Sequence, residues 1–303
     1  MLPNADDVQI DDRTDVMKAL FGRGLGASNI WYGHAHALTF VQPELPDDFE
    51  ALCEAEGRLC TTYENSGWCY VEASLSSLIK GGTRRIDIAK FTNDGMLPAR
   101  HLSIAMDGCA NDSRPPPMLP SQVASDLEHK SFFSRADVPT VAQLYETFFD
   151  AVAPHQTQLM LNGLSWGPEE VAKLAAALPR FERLVELDVS FNEVGPGGGK
   201  ALAAALRVNT SLTELHLSTC SIKDEGAVAI ATALMENELN KIAKLNLHGC
   251  SISDVSVKPL AALCAASRSL EELQVTGNRK LGNAGKAALK EAELSRPGLK
   301  LIV

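Results

Sequence analysis

The sequence predicts an α/β fold, in which the C-terminal half is a solenoid of parallel strands and helices and a small α/β segment precedes it. Two observations predict the solenoid: an apolar pattern that returns every 28 to 30 residues, and Ala- and Leu-rich stretches between its returns. A single unit of this kind cannot bury its own apolar face, so stacked neighbours must share one core. The solenoid is expected over residues 156–303.

Each unit of the repeat has three apolar positions, then an Asn or Cys, then a further apolar position. The four clearest units are Leu184, Leu187, Val189, Asn192 and Val194; Leu212, Leu215, Leu217, Cys220 and Ile222; Ile242, Leu245, Leu247, Cys250 and Ile252; and Leu270, Leu273, Val275, Asn278 and Leu281. Leu159 with Leu161 and Leu299 with Leu301 extend the array, so six parallel strands are expected. Helices are predicted at 199–207, 226–235 and 255–266.

Strand alternation explains which side chains of a unit are buried. It places Leu187 and Val189 in the core and the residues beside them on the surface. At the Asn or Cys position the chain turns, and the side chain can satisfy backbone groups of neighbouring coils. Cys220 and Cys250 are therefore expected to be buried structural thiols. A repeat of this length with a full helix per unit resembles the ribonuclease-inhibitor class of leucine-rich repeats, which implies binding of another protein.

The outward side chains of the strands form the expected partner-binding surface, here called the strand face. Its three rows are Glu186, Glu214, Lys244 and Glu272; Asp188, His216, Asn246 and Gln274; and Ser190, Ser218, His248 and Thr276. The rows are polar, of mixed charge, and lack the Trp, Tyr or Arg that usually anchor an interface. A solvated scaffold is therefore the alternative for some of these repeats.

Potential metal ligands occur at two places in the sequence. His216 and His248 lie on adjacent coils, but no Cys or carboxylate set is expected to complete a site with them. In the N-terminal half, the spacings of the soft ligands match no compact zinc motif. Those ligands are His34, His36, Cys53, Cys60 and Cys69. Neither a metal nor a cofactor is predicted.

Residues 1–112 form the predicted α/β segment. Strands are expected at 37–41 and 84–89, with a polar loop at 43–62. Between the loop and the second strand, a helix is expected that carries Trp68 and Ile79 on its apolar side and ends at Gly81 and Gly82. Residues 113–155 are predicted to contain a Pro-rich hinge and two capping helices.

A motif of the form Y-x-x-S-x-W-C-x-x-E lies where the loop meets this helix. Its residues are Tyr63, Ser66, Trp68, Cys69 and Glu72. The segment resembles the strand–loop–helix of TIR-type domains and of related fungal incompatibility domains. The resemblance implies NAD cleavage with Glu72 as the catalytic carboxylate. The residues themselves favour a structural role, in which Trp68 and Cys69 hold the helix against a small sheet and Glu72 pairs with Arg84 or Arg85.

The net charge of −10 restricts the classes of partner. Residues 1–150 hold 22 acidic against 12 basic side chains, whereas residues 151–303 hold 16 of each. Nucleic acid is not expected as a partner, because phosphate contacts need a basic face. For the same reason an anionic membrane surface is not expected.

The seven cysteines have no compact disulfide spacing, and the start of the sequence has no signal-peptide pattern. These features predict a cytoplasmic protein. The predicted function is protein binding through the solenoid, as an adaptor or sensor. The alternative is a TIR-like, NAD-consuming signalling enzyme that uses the solenoid as its recognition arm.

Overall fold

The computed structural model describes residues 39–41, 47–56, 61–63, 65–80, 85–87, 114–132 and 134–303, with backbone only at 39–41 and 85–87. The described residues fall into two compact units. Residues 114–119 and 150–303 form one unit, and the other described residues form the second. No helix in the described part of the chain is long and apolar enough to cross a membrane.

The smaller unit contains two short strands and four helices in its described residues. These are β1 (Thr39–Val41), α1 (Phe49–Ala55), α2 (Gly67–Ile79), β2 (Arg85–Asp87), α3 (Pro120–Leu127) and α4 (Asp137–Val152), the last of which runs on into the other unit. Strands β1 and β2 pair in parallel. The predicted strands, the helix between them and the two later helices are confirmed.

Helix α1 lies inside the stretch predicted as a polar loop, so that prediction was wrong. Within α1 only Cys53 is buried, and Leu52 is 53% exposed. A sequence predicts a helix through apolar residues that recur at the helical period. Because α1 buries a single side chain, its sequence lacks this pattern.

The larger unit is the solenoid. Its strands are β3 (Gln158–Met160), β4 (Glu186–Asp188), β5 (Glu214–His216), β6 (Lys244–Asn246), β7 (Glu272–Gln274) and β8 (Lys300–Ile302). Its helices are α5 (Pro168–Ala177), α6 (Gly195–Leu206), α7 (Lys223–Glu236), α8 (Val257–Ala266) and α9 (Asn283–Leu294). The six strands form one parallel sheet in chain order, which confirms the predicted solenoid.

A ladder of leucines runs through the core behind the strands. Leu187, Leu215, Leu245 and Leu273 are register partners from one strand to the next, and none is more than 1% exposed. Burying one such side chain stabilises the fold by roughly 1.5–3 kcal/mol. The core shared by stacked units, which the sequence predicts, is confirmed.

Glycines allow two neighbouring helices of the solenoid to approach closely. A Cβ atom on Gly199 of α6 would lie 2.9 Å from the Cα of Gly226 in α7. The backbone of Gly226 cannot move aside as the end of a flexible side chain could. Position 199 therefore has room for a hydrogen but not for a Cβ atom. The observed helices α6 and α7 also begin three or more residues before the predicted ones, at Gly195 and Lys223.

The two cysteines of the repeat pattern serve as structural thiols, as predicted. Cys250 Sγ donates to the carbonyl of Leu217 over 2.8 Å, and Cys220 Sγ donates to the carbonyl of Val189 over 3.2 Å. Burial raises the pKa of Cys220 to about 12 and that of Cys250 to about 11. Both thiols are therefore protonated donors at neutral pH.

The first coil of the solenoid is tied to the segment at 114–119. Trp166 Nε1 donates to the carbonyl of Arg114 over 2.8 Å, and the Arg114 guanidinium donates to the carbonyl of Met160 over 2.7 Å. Trp166 and Arg114 are both 3% exposed. The predicted domain boundaries after residues 112 and 155 stay predictions.

Candidate functional site

The strand face is built by the parallel register. Glu186, Glu214, Lys244 and Glu272 are successive register partners, and so are Asp188, His216, Asn246 and Gln274. In each of these strands the middle residue is buried and its two neighbours are at least partly exposed. The first two predicted rows therefore exist as rows on one surface.

The third row follows the strands and is linked by side chains. Ser190 Oγ accepts from the backbone N–H of Ser218 over 3.1 Å, and His248 Nδ1 lies 2.8 Å from Thr276 Oγ1. Ser190 is only 4% exposed. The hydroxyl of Ser190 joins two coils and offers little surface, and its predicted role in partner binding stays a prediction.

Two side chains of the second row also hold the backbone. Asp188 Oδ1 accepts from the backbone N–H of Ser190 over 2.9 Å, and Asn246 Oδ1 accepts from that of His248 over 3.0 Å. Each closes a local turn at the end of its strand. Their remaining polar atoms lie on the partly exposed surface.

A series of polar contacts runs along the first row. Gln158 Nε2 donates to Glu186 Oε2, Lys244 Nζ to Glu214 Oε1, and Lys300 Nζ to Glu272 Oε2, each over 2.8 Å. The hydrogen bond from Lys244 holds the pKa of Glu214 below its usual range. The two ion pairs are exposed to solvent and therefore contribute little to stability.

His216 lies between two carboxylates of the first row. Its Nε2 is 3.7 Å from Glu186 Oε1 and 3.6 Å from Glu214 Oε2. Position on adjacent coils pairs His216 with His248, whereas the structure places the two glutamates beside His216 and Thr276 beside His248. Glu214 lies two residues before His216 on β5, and Glu186 is the diagonal neighbour of His216 on β4. The predicted rows place these residues side by side, but only the structure shows that their side chains turn towards one another.

Two apolar side chains at the strand face were missed in the sequence. Phe191 is 62% exposed and has a left-handed backbone with φ of 59°, and Met160 is 42% exposed beside Asp188. The equivalent position is left-handed in the other coils too, with Gly163, Thr219, Gly249 and Gly277. The sequence does contain a signal for Phe191, because alignment of the units places this phenylalanine at a position where three of the other units have glycine.

The motif around Glu72 lies in the smaller unit. Ser66 caps α2 by accepting from the backbone N–H of Cys69, and Trp68 Nε1 lies 3.4 Å from Asp137 Oδ2. These contacts agree with a structural role for Ser66 and Trp68. Glu72 itself is partly exposed on α2.

Several residues weighed in the sequence lie outside the described side chains. They are His34, His36, Cys60, Arg84 and Arg85. The expected pairing of Glu72 with one of these arginines stays a prediction.

These features define a class of protein: an α/β solenoid of the leucine-rich-repeat kind that presents a polar strand face. The Leucine Rich repeat family model matches residues 184–203 and 208–231. The matched coils carry Asn192 and Cys220, the turn positions of the repeat. A search of curated proteins gives no match.

Proposed function

We propose that this chain is a protein-binding module, acting as an adaptor or sensor, that takes its partner on the strand face. Leucine-rich repeats are common protein-binding modules, and two of the coils match that family. The observation that carries the proposal is Phe191, an exposed aromatic side chain on a left-handed backbone.

The conformation of Phe191 argues for selection on its side chain. A left-handed backbone costs a residue with a Cβ atom roughly 1–2 kcal/mol, and glycine avoids that cost. A ring that is 62% exposed gains little from burial in the free protein to offset the strain. Strained residues cluster at functional sites, and aromatic side chains are frequent anchors of interfaces.

The surroundings of Phe191 indicate the chemistry of the partner. Met160 adds a second exposed apolar side chain. Its register partner is Asp188, an acidic group on the same coil as Phe191. The partner we propose is a folded or extended protein segment that covers the two apolar side chains and supplies a basic side chain to Asp188.

Affinity capture with the full chain as bait tests this proposal. Phe191→Ala removes the ring and keeps a Cβ atom at the left-handed position. Val208→Ala is the matched control, because Val208 is 66% exposed and lies after α6, away from the strands. We expect a protein retained by the wild type and by Val208→Ala to be lost from Phe191→Ala. Equal retention by all three baits would contradict binding at this surface.

The NAD-consuming enzyme is the second candidate. The parallel pairing of β1 with β2 and the position of α2 between them in the chain favour it, since the TIR-type resemblance implies that arrangement. Nicotinamide release by the full chain, compared with Glu72→Ala, tests it, and Glu54→Ala on the exposed side of α1 is the control. We expect release to be absent or very weak. Robust release that requires Glu72 would make the enzyme the first candidate.

We also infer a cytoplasmic location. Five cysteines lie within the described residues, and each carries a free thiol. Four of them, Cys53, Cys220, Cys250 and Cys264, are buried. Reduced thiols are typical of cytosolic proteins.

A further inference from the structure

We propose that Glu186, Glu214 and His216 form a binding site for a divalent transition-metal ion, with Zn²⁺ as the best match to the ligands. The site goes beyond the proposed function, because the ion would bind without any protein partner. It also departs from the expectation of no metal that the sequence supports.

The geometry of three ligand atoms carries this inference. Glu186 Oε1, Glu214 Oε2 and His216 Nε2 all lie within 4.8 Å of one another. The histidine nitrogen is 3.7 Å and 3.6 Å from the two oxygens, which is too long for hydrogen bonds. Tetrahedral zinc with bonds of about 2.0–2.1 Å holds its ligand atoms roughly 3.3 Å apart. To close around an ion, the two histidine–carboxylate distances would shorten by a few tenths of an ångström, and the two carboxylate oxygens would come to the same spacing.

Each carboxylate has one oxygen held by a further side chain and the other directed towards His216. Gln158 Nε2 donates to Oε2 of Glu186, and Lys244 Nζ donates to Oε1 of Glu214, both over 2.8 Å. The other oxygens, Oε1 of Glu186 and Oε2 of Glu214, are the two that lie near His216. Outer partners that orient the ligands in this way are a regular feature of metal sites.

The parallel sheet makes the arrangement rigid. Glu186 and Glu214 are register partners on β4 and β5, and His216 is two residues after Glu214 on the same face. The side chains keep 23%, 29% and 25% of their surface exposed in the order Glu186, Glu214 and His216. An ion can therefore enter from solvent, and water can supply a fourth ligand.

The charge of the cluster favours a divalent cation. Two carboxylates and the single ammonium group of Lys244 leave one net negative charge before an ion binds. Imidazole with carboxylates is a ligand set that suits zinc. Among the described residues, Glu186, Glu214 and His216 are the group of potential ligands whose ligand atoms lie close to one another.

A protonated His216 held between two carboxylates would produce the same proximity without any ion. The two arrangements differ in their response to metal, so titration of the metal-free full chain with Zn²⁺ separates them. Isothermal calorimetry gives the stoichiometry and the dissociation constant. Titration with Co²⁺ gives an independent signature, because nitrogen and oxygen ligands lack the charge-transfer band of a thiolate and so report a site without cysteine.

Single substitutions show which residues bind the Zn²⁺ ion. We expect His216→Ala and Glu214→Gln to remove one equivalent of Zn²⁺, and Gln158→Ala to weaken its binding by roughly 10–100-fold, as for other outer partners. His248→Ala is the matched control, since His248 is also a histidine of the strand face but lies against Thr276. This control is expected to bind like the wild type.

Two results would overturn the proposal. One is a wild-type chain that binds no Zn²⁺ in the micromolar range. The other is a bound equivalent that survives both His216→Ala and Glu214→Gln, or whose Co²⁺ form has the thiolate band. Circular dichroism of each variant shows whether it is folded, and Glu186→Gln provides a third ligand variant if one of the others does not fold.

Discussion

Nδ2 of Asn192 donates a 2.8 Å hydrogen bond to the carbonyl of Leu161, which lies one coil earlier in the solenoid. The same amide nitrogen donates to Val189, and Oδ1 accepts from the backbone N–H groups of Leu164 and Trp166. One buried side chain thus satisfies backbone groups in two coils. Asn278 repeats the bond to the preceding coil, with Leu247 as acceptor over 2.9 Å.

Asn192→Ala should lower the free energy of unfolding by about 2–4 kcal/mol, because it leaves two buried amides without their acceptor. Asn192→Cys should cost less, since a thiol there can donate as Cys220 donates to Val189. Urea unfolding followed by circular dichroism measures both. Equal losses for Ala and Cys would mean that the inter-coil donation contributes nothing.

Leu215→Ala should lower the free energy of unfolding by about 2–5 kcal/mol, because Leu215 is fully buried in the middle of the leucine ladder. Val208→Ala should change it by less than about 0.5 kcal/mol, as for other exposed positions. Both are measured by urea unfolding of the full chain. A loss at Leu215 no larger than at Val208 would contradict a core shared by the coils.

Phe191→Gly should raise the free energy of unfolding by about 1 kcal/mol, because glycine adopts a φ of 59° without the strain of a Cβ atom. Phe191→Ala should not be stabilising, since alanine keeps that strain. Thermal unfolding distinguishes the two variants. If Ala stabilised the chain as much as Gly, the exposed ring rather than the backbone would be the source of the effect.

Asp224 should make the stability of the solenoid depend on pH. Burial alone would raise the pKa of Asp224, but hydrogen bonds from Ser253 and Ser256 outweigh it and hold the pKa below its ordinary value of 3.8. Its Oδ1 accepts from the backbone N–H of Ser253 and from Ser256 Oγ, over 2.8 and 2.6 Å. The carboxylate therefore stabilises the fold above pH 3.8, and this contribution is lost as the pH falls through the lower folded-state pKa.

The measurement is the difference in free energy of unfolding between the wild type and Asp224→Asn across pH. We expect the difference to be constant between about pH 7 and pH 5 and to shrink below about pH 4. Glu238→Gln, at an exposed position, is the control for general acid effects. A difference that did not change down to pH 3 would show that the ionised form of Asp224 is not the stabilising one.

The sequence by itself determined the solenoid. Apolar residues that alternate along a strand and return after 28 to 30 residues are a one-dimensional signal, and one structure buries all of them at once. The leucine ladder, the buried Cys220 and Cys250 and the six parallel strands all follow from that condition. Helix α1 has no such signal, because it buries one side chain.

The tertiary structure alone decided which side chains of the strand face are accessible and which of them come together. Alternation says that Ser190 points outward, but only the path of the chain after the strand shows that the next coil covers it. The grouping of His216 with Glu186 and Glu214 depends in the same way on how these side chains are oriented on β4 and β5. Burial of apolar surface is a sum over many residues and survives small errors of position. A site depends on distances between a few side-chain atoms. The repeat pattern predicts the register of the coils but not the side-chain orientations that set those distances.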